Sequence, residues 1–204
     1  MKVQGLYTVA DDAMGNSRAM GSHFLLVKDE FERRHLMEGS PWLFDNYLLV
    51  LNEFDGSCLT LQIQLKHCCF WVQLHDVSLF YMTKQTGEGV GNANGKVVKV
   101  DVQENGVGWG PSLRVRLRLD ITKPFPWGRL ITFESFGQMW ISFKYERLPW
   151  ICFHYCLLGH LERDCLARLR CSSHQFTDIK LYGVWLRASE NFQKALEHGK
   201  FYFS

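Results

Sequence analysis

At 204 residues, with 47% hydrophobic and 14% aromatic side chains, the chain can bury the core of one ordinary domain or two small ones. A formal charge of +2 argues only weakly for a polyanionic partner, so any basic surface must be local. No stretch approaches the ~20 apolar residues that cross a bilayer, and the opening residues lack the apolar run of a secretory leader, which predicts a protein of the nucleus or cytoplasm, neither secreted nor membrane-inserted.

The chain opens on a polar start, residues 1–22. In "KDEFERRHLME" (28–38), Phe31, Leu36 and Met37 recur at roughly helical spacing and Gly39 follows as a stop, predicting a helix. Next, "YLLVLNEF" (47–54) and "CFWVQLHDV" (69–77) read as strands, "MTKQTGEGVGN" (82–92) as a weak helix interrupted by glycines, and "KVVKVDVQ" (96–103) as a further strand. The cleanest alternation is "LRVRLRLDI" (113–121): Leu113, Val115, Leu117 and Leu119 face one way, Arg114, Arg116 and Arg118 the other, as in a half-buried strand. "RLITFESF" (129–136) and "MWISFKYERL" (139–148) complete an antiparallel ribbon. Turn clusters such as "GNANG" and "ENGVGWGP" separate these pieces. The order predicts an α+β fold, an antiparallel sheet with helices on one face.

Three like charges in a row repel one another unless carboxylates or phosphates sit opposite. Arg114, Arg116 and Arg118 therefore call either for a polyanionic guest or for neutralisation by Glu134 and Glu146 on neighbouring strands.

"CFHYCLLGHLERDC" (152–165) then packs three cysteines and two histidines into one short segment. In a chain with seven cysteines and no secretory context, such a cluster reads as reduced thiols and metal ligands before a disulfide framework. Thiolate and imidazole are the ligands Zn²⁺ prefers, so Cys152, Cys156, His160 and Cys165 are the candidate set for one ion, with His154 as a substitute. Side chains four apart share a helical face, which would line up Cys152, Cys156 and His160 with Cys165 returning. The competing reading is a degenerate site with free thiols. Cys58, Cys68, Cys69 and Cys171 have no ligand spacing and read as small buried residues, while His67 and His75 read as sheet histidines.

"EGSPWLFDNYLLVL", "FWVQLHDV", "LRVRLRLDITKP" and "FKYERLPWICF", in this order, resemble a plant family, the domain of unknown function 4283, followed by its zinc knuckle of pattern C-x2-C-x4-H-x4-C. The resemblance runs from about Phe24 to Cys165, and "LYGVWLRA" (181–188) is similar to the family's trailing segment. Here the second cysteine falls one place late, so that Tyr155 stands where the family has a ligand and Cys156 where it has a glycine. The family's initial strand and helix are not matched before His23, as in a truncated element. The resemblance divides the chain into a non-matching segment 1–22, the α+β region 23–148 with an RRM-like βαββαβ order, the CCHC-like knuckle 149–166, and a tail 167–204, whose end "RASENFQKALEHGKFYFS" (187–204) reads by itself as one short amphipathic helix. It implies a gag-like nucleic-acid-binding protein of plant LINE-type retrotransposon origin.

Zinc knuckles bind single strands by stacking unpaired bases on exposed aromatic groups, with basic groups on the phosphates. Trp150 and Phe153 are candidate stacking platforms, flanked by Lys144, Arg147, Arg163, Arg168 and Arg170. The plainer alternative is that Trp150 packs the knuckle against the sheet and the arginines form a solvated rim. The glycine-rich pieces lack the Gly-Lys-Ser/Thr ending of a phosphate loop, and no motif couples Asp76, Asp101 and Asp120. The expectation is a binding protein for single-stranded RNA or DNA with little sequence preference, not an enzyme, without a small-molecule substrate. Self-association through an open sheet edge and a non-functional relic are the alternatives.

Overall fold

Asp29 opens the first helix by accepting hydrogen bonds on Oδ1 from the backbone N–H of Phe31 (2.6 Å) and Glu32 (3.2 Å), which satisfies two donors that a helix start leaves unpaired. In the computed structural model, which describes residues 5–10, 20–27, 29–54, 65–160, 162–165 and 182–189, this helix is α1 (Glu30–Glu38), with Gly39 at its C-cap. It follows an antiparallel pair, β1 (Gly5–Ala10) and β2 (Met20–Leu26), in register from Gly5↔Leu26 to Thr8↔His23. The polar start expected to lie outside the domain thus supplies a strand. After α1 comes a hairpin of β3 (Trp42–Phe44) and β4 (Tyr47–Leu49), turned by Asp45 and Asn46 at φ 49° and 64°. Two residues with positive φ are what a tight hairpin turn of this hand requires. The predicted strand at 47–54 is broken: its end forms β5 (Glu53–Phe54), which pairs with β1 in a three-stranded sheet of order β2-β1-β5.

The described residues divide into two compact units. One takes in the chain up to Cys69, residues 118–125 and those between Pro149 and Cys165; the other takes in 70–117, 126–148 and 182–189. This partition cuts across the consecutive segments expected from the sequence.

The larger sheet is built from β6 (His67–His75), β7 (Lys96–Asp101), β8 (Leu113–Asp120), β9 (Gly128–Phe133) and β10 (Gly137–Tyr145), in the order β7-β8-β6-β10-β9. β10 runs antiparallel to both neighbours, Phe143 opposite Leu74 and Trp140 opposite Leu130. The alternation in β8 holds: Leu113, Val115, Leu117 and Leu119 are all buried. Phe70, Val72 and Leu74 join them from β6, and Ile141, Phe143 and Tyr145 from β10. Each such side chain contributes roughly 1.5–3 kcal/mol through removal from water.

The predicted weak helix is α2 (Lys84–Asn92), capped by Thr83 Oγ1, which accepts the Thr86 N–H at 3.3 Å. Its glycines serve contact. A Cβ at Gly87 would stand 2.6 Å from Val100 Cγ1, and one at Gly91 would stand 2.5 Å from Val97 Cγ2 and 2.9 Å from Leu117 Cδ2. Only a backbone without side chains lies this close to the sheet. The Arg129 guanidinium and the Asn94 amide bind the carbonyls of Ala93 and Val90, at the helix's C-terminal end.

The fold is α+β, as predicted. The order here is β-α-β-β-β-β, however: β9, hairpinned to β10, stands where a βαββαβ arrangement would have its second helix. Of the two α-helices among the described residues only α2 belongs to this sheet's unit. The segment 182–189 returns to the sheet at the end of β10. Leu186 is fully buried, Ala188 donates its N–H to the Tyr145 carbonyl at 2.9 Å, and Arg187 forms a parallel bridge with Tyr145. The helix expected in the last residues lies outside the described chain.

Candidate metal centre

The cysteine–histidine segment forms a small hairpin instead of the helical stripe considered above. β11 (Ile151–Cys152) pairs antiparallel with β12 (Leu157–Leu158), Cys152 opposite Leu157. The turn between them is closed by the Cys156 N–H, which donates to the Cys152 carbonyl at 2.7 Å. Past β12, Gly159 at φ 106° redirects the chain to His160, and a 3-10 turn at Glu162–Asp164 brings back Cys165, whose N–H donates to the Glu162 carbonyl at 3.3 Å.

This path gathers three side chains. The ligand atoms of Cys152, His160 and Cys165 all lie within 4.8 Å of one another, with both cysteines buried. His160 Nε2 is buried and has no hydrogen-bond partner. A buried imidazole nitrogen without a partner is costly unless something else satisfies it, and a metal ion does so. Two sulfurs and one imidazole suit Zn²⁺.

Cys156, expected as the second ligand, is not among the three, and neither is His154. Cys156 instead occupies the left-handed region at φ 55°, a conformation that glycine adopts most readily. Its side chain is fully buried, and burial pushes its thiol up to about 12, with the charge of Cys152 adding to the rise. Burial also raises the Cys152 thiol, partly offset by the N–H groups of Tyr155 and His154, and Cys165 beside it adds to the rise. Thiols in this state bind metal with release of their protons.

The other candidates separate by unit. Trp150 and Phe153 share the metal loop's unit and are half-buried; the Trp150 N–H donates to the Asn46 carbonyl at 2.9 Å, and its ring meets Tyr47 edge-on at 5.2 Å. Arg163 is exposed in the same unit, as is Arg118. Lys144, Arg147, Arg114 and Arg116 belong to the sheet's unit. Arg168, Arg170, Cys58 and Cys171 lie outside the described residues.

Of the arginine triplet, Arg114 is committed. Its guanidinium grips Glu146 through two bonds of 2.7 and 2.8 Å, reaches Asp101 at 3.0 Å, and lies 4.1 Å from the Trp71 ring centre. Glu146, 4% exposed, also accepts from the Gln73 amide at 2.9 Å. Burial works against the Arg114 charge, but the two carboxylates outweigh it and hold the guanidinium protonated. Arg116 is 7% exposed and also approaches Trp71. Neutralisation by Glu146, one of the two alternatives, is what the sheet does for Arg114.

Two of the strand-end carboxylates have partners too. Asp101 takes Arg114, and Asp120 accepts the Thr122 hydroxyl at 2.6 Å and the Thr122 N–H at 3.1 Å. His75 is a half-buried sheet histidine, Nε2 3.2 Å from Gln73 Oε1, its pKa lowered by burial and by Lys144. Tyr155, considered above only as a missing ligand, is 40% exposed at the turn of the hairpin, its ring 4.5 Å from that of His154. The run Phe153-His154-Tyr155 carried that signal in the sequence.

Comparison with known proteins agrees with this geometry. Residues 119–167 match a protein-family model described as a zinc knuckle. An uncharacterized Arabidopsis thaliana protein, At4g02000, is 25% identical over 176 residues, which is 81% of this chain and 55% of that protein, so the chain spans about half the length of the curated relative it matches. No solved structure matches. The segment around Cys152, His160 and Cys165 thus matches a zinc knuckle of the CCHC type, and these three side chains converge there as metal ligands would.

Proposed function

We propose that this chain binds single-stranded nucleic acid with little sequence preference, through a zinc-held loop that offers aromatic rings to unpaired bases. The observation that carries the reading is the convergence of Cys152, His160 and Cys165 within a segment of zinc-knuckle sequence. A metal there clips the hairpin and so fixes Phe153 and Tyr155, the loop's accessible rings, as stacking platforms. Arg163 and Arg118 supply positive charge in the same unit. The sequence resemblance to the domain of unknown function 4283 favours a gag-like protein of plant retrotransposon origin, acting in the nucleus or cytoplasm as a binder rather than an enzyme.

The test is fluorescence anisotropy with labelled single-stranded RNA and DNA across a salt series, with and without chelator. Affinity should fall with salt at a log–log slope of about −0.7 per phosphate neutralised. Phe153→Ala and Tyr155→Ala should each weaken binding by roughly tenfold, about the value of one stacked base. Undetectable binding, or binding indifferent to both salt and chelator, overturns the reading.

A second reading, self-association, is favoured by one surface. Leu79 (72% exposed), Phe80 (73%) and Phe136 (60%) are apolar and open to solvent, with Phe80 and Phe136 both edge-on to Tyr81. Tyr81 is itself held by Phe133 at 4.2 Å and by the Ser135 N–H. Analytical ultracentrifugation of wild type and Phe80→Ser decides it: a concentration-dependent dimer lost in the variant supports this reading, and a monomer throughout removes it.

A further inference from the structure

Zn²⁺ in a structural site takes four ligands, and three candidates converge here. In the knuckle spacing the fourth place falls on Tyr155, a partly exposed phenol turned against His154. The extra thiol that the sequence offers, Cys156, comes one residue later and is held away by its backbone. Its N–H is tied to the Cys152 carbonyl at 2.7 Å, its carbonyl accepts the Phe125 N–H at 2.9 Å, and its φ of 55° fixes the direction of its Cβ. Its sulfur is not among the mutually close ligand atoms, and the bonded turn limits how far its backbone can move toward them. Among the described residues no other histidine, cysteine or carboxylate joins the group.

We propose that Cys152, His160 and Cys165 are the ligands the described residues supply, that Cys156 is a buried thiol standing in for the turn glycine, and that the fourth position is open to a monodentate nitrogen or sulfur donor from outside the chain, of the imidazole or thiolate class. The proposal rests on the zinc-knuckle reading. It differs from that reading in kind: a closed four-ligand clip is purely structural, whereas a three-ligand centre also has an exchangeable coordination position.

The experiment uses the full chain loaded with Co²⁺, whose absorption reports its ligands. The near-ultraviolet sulfur-to-metal band should have the intensity of two thiolates. Cys156→Ser should leave that intensity unchanged, as should Cys171→Ser, and His174→Ala should leave the visible bands unchanged. Imidazole should shift the visible bands saturably with one equivalent bound. In Tyr155→Cys/Cys156→Gly, which restores the knuckle spacing, the charge-transfer band should gain a third thiolate and the imidazole response should vanish. A smaller band in Cys156→Ser or Cys171→Ser, altered visible bands in His174→Ala, or a wild-type spectrum that imidazole does not move, overturns the open position while leaving a metal-bound knuckle standing. Failure of wild type to bind Co²⁺ overturns both, and should Cys156→Ser fold poorly, the double variant and the imidazole titration still decide.

Discussion

The sheet and the metal loop solve the same problem, holding a backbone in one shape, with opposite resources. In β6, β8 and β10 the shape comes from many buried apolar side chains repeating every second residue, so that no single one is decisive. Between Pro149 and Cys165 there are two-residue strands, two residues at positive φ and three converging ligand atoms. The lesson is that distributed burial tolerates substitution and slip, whereas a site made of three or four donors depends on the position of each.

The largest test of that contrast is metal removal. A structural zinc is worth on the order of 10 kcal/mol to the segment it folds. Hydrogen exchange should show the amides of Cys156, Leu158 and Cys165 losing protection on chelation while those of β6, β8 and β10 keep theirs. Equal loss in both would mean that the sheet needs the metal, and the contrast would fail.

Next comes the sheet's own concentrated device. Arg114→Ala leaves Glu146 buried with Gln73 as its side-chain partner among the described residues, and breaking such a pair should cost about 3 kcal/mol in urea unfolding, with zinc affinity unchanged. Gly87→Ala and Gly91→Ala should each cost about 2 kcal/mol, because the added methyl overlaps Val100 or Val97 and forces α2 off the sheet. A neutral result at either position would show that the helix yields where the close contact says it must not.

The smallest effect is a pH dependence. Hydrogen bonds from the Thr122 hydroxyl and N–H, with Lys123 adding to them, hold Asp120 down to about 2, against an unfolded value near 4. A folded pKa below the unfolded one stabilises above the unfolded value, and that contribution is lost as pH falls through the folded one. The gap between wild type and Asp120→Asn in urea midpoint should therefore be constant above pH 5 and shrink from about pH 4 toward pH 2. A gap that does not change across that range would mean the Thr122 turn does not favour the ionised carboxylate.

These cases also mark what could be read in the sequence. The alternation in β8 was legible because burial on one face of a strand imposes period two on any sequence that forms it. The glycines of α2 were visible but their purpose was not, since it depends on Val97, Val100 and Leu117 across the sheet. For the arginine triplet the sequence left open a polyanionic guest or neutralisation by Glu134 and Glu146, because Asp101 and Glu146 reach Arg114 only through the pairing of distant strands. At the metal loop, residue type pointed to the side chains that converge, Cys152, His160 and Cys165, while Cys156, expected beside them on a helical face, lies in a hairpin turn. The chain makes a hairpin there, and one residue of slip turns a ligand position into a turn position. Gly5–Ala10 formed a strand without a pattern strong enough to announce it.

The return of the chain to Tyr145 has a mechanical consequence. The bridge to Arg187 and the bond from the Ala188 N–H close a loop of 42 residue steps on a single point of β10. Tension entering along β10 and leaving beyond Ala188 crosses that bridge, and the metal-bearing stretch between carries no load while it holds. Once the bridge parts the pull reaches the sulfurs, and the roughly 140–150 Å of contour length behind the bridge is released in full only when the metal clip opens as well.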